Sequence, residues 1–233
     1  MFSPFIYLIF SYLIGSIPFS FLITWFYKKI NVLEIGGKKS SASNVFWNVS
    51  PWIGIISGLL DFAKGFFVVW LARKLGYSEA TQVAAAFWAI MGHNWSIFLN
   101  FNGGRGLATL AGAIFFFSPK LCLLGVTIFA VVSYLWIGPV AAVLAIATIF
   151  FSSFYLEFKD LVPTLILYTA LPMLLRRLSP LSDFQGKDNK LQIALTKLIY
   201  EDVSPKPPRI LTRWKKWQEK KMPQNYDNVS QQK

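Results

Sequence analysis

Apolar residues run in long blocks along this chain, and polar residues collect in the gaps between them. Met1 to Tyr27 carries no charged side chain, and further apolar runs cover about 51–72, 81–99, 107–118, 121–136, 139–156 and 161–175. A membrane-spanning helix needs about 20 apolar residues. The blocks therefore predict an all-α, polytopic membrane helix bundle with about seven transmembrane helices, the shorter runs tilted, shifted or partly inserted. The stretch Leu121–Leu156 is 36 residues without a charge, and Gly138-Pro139 is its natural break.

Composition narrows the class. Of 233 residues, 55 % are hydrophobic and 15 % charged, with a mean hydropathy of +0.47. A soluble domain carries roughly a quarter charged residues, so this chain cannot clothe a water-facing surface. The 17 % aromatic content excludes disorder. A single cysteine, Cys122, excludes an intrachain disulfide and a cysteine-based metal site, and a single histidine, His93, excludes multi-histidine metal sites. No metal or other cofactor is expected.

Charge orients the bundle. The first lysines, Lys28 and Lys29, follow the apolar run rather than precede it, which predicts a retained helix with its N-terminus outside. Alternating from there, 18 of the 23 basic residues fall inside and four outside. This asymmetry predicts cytoplasmic loops at 28–50, 92–106 and 133–139 and a cytoplasmic C-terminus, with the protein multi-pass in the inner or plasma membrane.

After Leu178 the character changes. Residues 1–178 read as the membrane-embedded domain and 179–233 as a basic cytoplasmic tail. Residues 189–200 place Leu191, Ala194, Leu195, Leu198 and Ile199 on one helical face. Ile210, Trp214 and Trp217 recur at helical spacing among basic residues, which suits an interfacial helix on anionic membrane lipid. No nucleic-acid partner is expected.

Candidate chemistry lies on the inner side. No nucleophile elbow and no carboxylate dyad exists. Gly103-Gly104-Arg105-Gly106, after Gly92-His93 and before a helix, offers backbone N–H groups and a cation to a phosphate, although a simple turn has the same pattern. Lys64, inside an apolar run, is a functional candidate by its cost, or a snorkelling lysine paired with Asp61. Lys38, Lys39, Ser43 and Asn44 form a small, polar, basic stretch in which Ser43 is either a phosphate ligand or a helix cap.

These motifs, in this order, resemble the bacterial acyl-phosphate-dependent glycerol-3-phosphate acyltransferases. The likeness runs through Gly15-Ser16-Ile17-Pro18-Phe19, Ala42-Ser43-Asn44-Val45, Lys64-Gly65, Gly92-His93, and Phe101 with Gly103-Gly104-Arg105-Gly106-Leu107-Ala108-Thr109. Ser133 falls near a serine motif of the third cytoplasmic loop. The resemblance implies acyl transfer from acyl-phosphate to the 1-hydroxyl of glycerol 3-phosphate, giving lysophosphatidic acid for phospholipid synthesis. It implies Lys64, Arg105, Asn44 and His93 as catalytic residues. Lys38, Lys39, Ser43, Gly103, Gly104, Gly106 and Ser133 would bind substrate phosphate. The chain departs from the family pattern at Gly37, Lys39, Trp47, Leu171 and Leu174, and Arg105 stands where the family has lysine. The departures carry an alternative: a descendant without catalysis that binds an anionic lipid or a membrane partner. A transporter would show paired discontinuous helices in a repeat, and no internal repeat exists.

Overall fold

The structure, a computed structural model, describes residues 3–135, 138–155, 161–178 and 189–200. Among them every regular element is a helix. The first apolar run forms α1 (Pro4–Ser16) and α2 (Phe19–Lys28), interrupted at Ile17-Pro18, where proline has no N–H to continue the ladder. A polar loop leads to the short α3 (Ala42–Asn48), then α4 (Pro51–Lys74) and α5 (Glu79–Asn94). After a 3-10 turn at Ile97–Leu99 come α6 (Leu107–Phe117), α7 (Pro119–Leu135), α8 (Gly138–Ser153), α9 (Leu161–Arg177) and α10 (Lys190–Tyr200).

The apolar runs lie on helices, with α7 described as far as Leu135 and α8 from Gly138. One boundary differs. Gly92-His93-Asn94, expected in the loop, form the last turn of α5, so the loop proper begins at Trp95. Two stretches, Pro4–Lys28 and Pro51–Lys74, are long and apolar enough to cross a membrane by length and composition. At about 1.5 Å per residue, α6 reaches roughly half the depth of a bilayer core.

α5 is the centre of the bundle, packed against α1, α4, α6 and α9, while α6 lies on α4 and α7 on α8. The core joins Val68, Val69, Ala89, Ile90, Leu110, Ile114, Leu121 and Leu165. Glycines let backbones meet. A Cβ on Gly65 would strike the Thr109 carbonyl, and one on Gly112 the Phe62 carbonyl. Such small-residue contacts replace hydrophobic drive where the surroundings are apolar. Gly54 and Gly58 seat α3 on α4 in the same way, and Ala141 and Ala145 are buried on α8. Outside, Phe5, Trp52, Leu59, Phe151 and Leu167 are exposed. That surface would drive aggregation in water and is matched by lipid.

The tail segment 189–200 is helical, as its periodicity suggests. α10 buries Ile193 and Lys197 and leaves Leu191 and Leu195 exposed. It packs on α8 and α9 beside Arg177, so the surface it meets is cationic and hydrogen-bonding as well as apolar. The expected second helix around Trp214 and Trp217 lies outside the described residues.

Candidate active site

The loop between α2 and α3 is organised by one amide. The Asn44 Nδ2 donates to the carbonyls of Val32, Ile35 and Lys39 at 2.9, 3.2 and 3.0 Å. Its Oδ1 accepts from the Gly37 N–H at 3.0 Å and from Asn48 Nδ2 at 2.9 Å. The amide's hydrogen-bonding capacity is thus used by the loop, and Asn44 positions the loop. The α3 cap is Ser41, whose hydroxyl accepts from the Asn44 N–H. Ser43 is free of that duty and accepts from Arg105 Nη2 at 3.0 Å. Lys38 is exposed in a left-handed backbone conformation, and Lys39, next to it, is turned inward and buried.

Beneath this loop lies a buried ionic group. Lys64 Nζ is 2.9 Å from Asp61 Oδ1 and donates to the Ile17 carbonyl at 3.1 Å. His93 Nδ1 lies 3.4 Å from the same carboxylate oxygen. Helical spacing brings Asp61 and Lys64 together one turn apart, and the kink at Pro18 brings the Ile17 carbonyl within reach of the lysine. Asp61 therefore ties α4 to α5, and Lys64 ties α4 to the end of α1. These side chains, with Ser40, Ser96 and Gly103, line one narrow crevice. The position of Asp61 between lysine and histidine was not legible from spacing alone, because His93 is 32 residues away in the chain.

The glycine loop closes over His93. A Cβ on Gly104 would strike His93 Nε2 and lie 2.6 Å from the Ser40 carbonyl. The Gly104 N–H donates to the His93 carbonyl at 3.0 Å, so this donor belongs to the loop itself. Gly106 is the N-cap of α6 with φ 73°, a left-handed conformation natural to glycine. The loop's carbonyls are held by a residue the sequence reading used only for topology. Arg176, near the end of α9, donates from Nη2 to Gly103 O at 3.0 Å and from Nε to Gly104 O at 3.3 Å. A buried arginine pair closing an apolar helix is costly, and that cost was the available signal.

Cations converge here. Burial, with the positive charges of Arg105 and Arg176 leading its neighbours, pushes the Lys39 ammonium down to about 7. Arg177 donates from Nη2 to the Pro139 carbonyl at 3.1 Å. Arg105 and Arg177 also border an apolar cavity of about 290 Å³ between α6, α8 and α9, walled by Leu110, Ile146, Phe150 and Met173. Ser133 sits half-buried in the last turn of α7 and borders neither cavity nor crevice. Trp47 and Leu171 are exposed. The geometry thus joins a greasy slot to a cluster of positive charge, which suits an amphiphile with an anionic head.

The profile of the family described as Glycerol-3-phosphate acyltransferase matches residues 5–180. The chain belongs to the glycerol-3-phosphate acyltransferase family. A glycerol-3-phosphate acyltransferase of Wolbachia pipientis is 32 % identical, over 81 % of this chain and 98 % of that protein. One of Desulforamulus reducens is 40 % identical, over 49 % of this chain and 57 % of that protein. The crystal structure of PlsY, an integral membrane glycerol 3-phosphate acyltransferase in its glycerol 3-phosphate form, superposes with a TM-score of 0.70. It is 24 % identical and covers 78 % of this chain and 91 % of that one. The fold of the described residues, all-helical, is that of this integral membrane acyltransferase.

Proposed function

We propose that this family member transfers an acyl group from acyl-phosphate to the 1-hydroxyl of glycerol 3-phosphate. The observation that carries the reading is the junction of the apolar cavity with Arg105, Arg177 and the neighbouring Lys39 and Arg176. The acyl chain lies in the cavity and its phosphate at the cations. The hydroxyl oxygen attacks the acyl carbonyl carbon, the new ester C–O bond forms, and the bond from that carbon to the phosphate oxygen breaks. The departing phosphate takes the hydroxyl proton, and the products are lysophosphatidic acid and phosphate. No enzyme nucleophile is needed, because cations stabilise the carbonyl oxyanion and the leaving group while the site aligns the reactants. The site lies on the cytoplasmic side, with the N-terminus outside and the helices crossing in multiple passes.

Within this reading the site residues divide. Arg105 and Lys39 meet phosphate directly, with Ser43 fixing the Arg105 side chain. Lys64 and His93, joined through Asp61, support the floor beneath the glycine loop. Asn44 holds the loop that carries Lys39. Of the two first-loop lysines, Lys38 and Lys39, Lys39 is the one turned inward. The test is purified protein with labelled glycerol 3-phosphate and palmitoyl-phosphate, without coenzyme A. Labelled lysophosphatidic acid that disappears in Arg105→Ala supports the reading. Absence of product from folded wild-type protein refutes it.

A further inference from the structure

The last turn of α9 serves two places at once. Met173, Leu174 and Arg177 line the apolar cavity. Arg176, on the same turn, is 4 % exposed and grips the glycine loop, donating from Nη2 to Gly103 O at 3.0 Å and from Nε to Gly104 O at 3.3 Å. Pro172 stands inside the helix just before this turn. Proline has no N–H, so the ladder lacks its bond to the Tyr168 carbonyl at the step into residues 173–177. The turn that touches both places is thus joined to the rest of α9 through a weakened ladder.

The loop it grips carries Arg105. That residue borders the same cavity, and its Nη2 donates to Ser43 Oγ on α3 at 3.0 Å. The Gly104 N–H donates to the His93 carbonyl of α5 at 3.0 Å. In a trans peptide the N–H and C=O point to opposite sides. The unit between Gly103 and Gly104 is therefore held on one side by α5 and on the other by Arg176. Glycine has no side chain to fix such a unit, so its orientation rests on these bonds. A guanidinium suits the task, because its planar fork reaches two acceptors where an ammonium is a point charge.

We propose that Arg176 is a positioning residue that couples the donor's acyl chain to Arg105. A chain seated against Met173 and Leu174 fixes the last turn of α9. Arg176 carries that placement to the carbonyls of Gly103 and Gly104, and the loop sets Arg105 on the phosphate. The inference rests on the acyl-phosphate reading above, which lays the chain in the cavity and the phosphate at Arg105. Its consequence is kinetic. Binding energy from the chain, remote from the reacting carbonyl, appears in kcat because it aligns the catalytic cation.

The experiment uses the full-length protein in detergent, comparing wild type with Arg176→Met and Arg176→Lys. Two donors are used: palmitoyl-phosphate, and acetyl-phosphate, which carries the same phosphate without a chain to fill the cavity. Wild type should show a kcat about a hundredfold higher with palmitoyl-phosphate, the scale of a misplacement of about 1 Å. In Arg176→Met that advantage disappears, while KM for palmitoyl-phosphate and kcat with acetyl-phosphate change little. Arg176→Lys does not restore it. An equal fall of kcat with both donors overturns the proposal, since the loop then needs Arg176 whatever the chain does. So does a rise confined to KM for palmitoyl-phosphate, which would make Arg176 a phosphate ligand, or full recovery in Arg176→Lys. A second readout needs no turnover: hydrogen exchange of the loop segment 103–107 with hexadecyl phosphate or inorganic phosphate bound. Hexadecyl phosphate should slow exchange beyond inorganic phosphate in wild type, and the difference should vanish in Arg176→Met. Equal exchange with the two ligands in wild type overturns the coupling, whether or not the variants fold. Should Arg176→Met not purify folded, Arg176→Gln asks the same question. If wild type turns over neither donor, the acyltransfer reading fails. Chain-dependent protection that is lost on Arg176 substitution then still stands for the coupling, and protection that survives it refutes the coupling.

Discussion

Lys39 makes the donor's affinity depend on pH, and the dependence has a calculable size. In the unliganded fold its ammonium sits at about 7, lowered first by burial and then by Arg105, Arg176, Lys197 and Arg177. A phosphate placed on this cluster favours the charged form, so binding above pH 7 must take up a proton. Each unit of pH costs about 1.4 kcal/mol, a factor of ten, until the pKa of the liganded amine is reached. From pH 7 to 8.5 the wild-type KM for palmitoyl-phosphate should rise roughly tenfold. Phosphate esters lose their second proton near pH 6, so the substrate contributes little in this window. In Lys39→Met the KM is higher at pH 7 and nearly flat. In Lys39→Arg it is flat as well, because arginine stays charged throughout. The assay is initial-rate kinetics at fixed ionic strength in one detergent. A wild-type profile parallel to that of Lys39→Met would refute the reasoning. The same shift has a stability counterpart with a definite sign. Between pH 7 and about 10.5 the unfolded chain binds more protons than the fold. Unliganded stability must therefore rise with pH across that window.

Other outcomes follow from the packing. Asp61→Asn and Lys64→Met each strand a buried charge and should cost about 3–5 kcal/mol. In a thermal melt in detergent the double variant should lose less than the two single losses combined, and strict additivity would argue against a coupled pair. Gly104→Ala drives a methyl into the His93 ring, whereas Gly37→Ala meets its nearest neighbour, Asn44 Oδ1, only at 3.9 Å. The first should abolish activity or folding and the second should be mild, with equal behaviour counting against the loop geometry. Ala147→Phe narrows the apolar cavity. It should raise KM for palmitoyl-phosphate several-fold more than for octanoyl-phosphate (by about 1 kcal/mol or more), and an equal effect on both donors would place the acyl chain elsewhere.

The sequence by itself determined the class of fold and most of its helices, because lipid-facing helices are written in uninterrupted apolar blocks whose breaks are prolines, glycines and charges. It also carried the family, since Lys64-Gly65, Gly92-His93 and the Gly103–Thr109 motif keep their order along the chain. It did not decide what each motif residue touches. Asn44 was read as chemistry and is engaged in five hydrogen bonds that hold its loop. Ser41 rather than Ser43 caps α3, a difference of half a turn that leaves Ser43 for Arg105. Arg176 was counted as a topological charge and is bonded to the carbonyls of Gly103 and Gly104, about seventy residues earlier. Only tertiary structure decides such partnerships, because periodicity reports the face of one helix and not which distant segment lies against it. The same limit governed α10. Its apolar side was visible in the pattern, but not which segments the helix meets. In a membrane protein the outer surroundings are as apolar as the core, so hydrophobicity no longer distinguishes inside from outside. There a buried lysine marks the inward side.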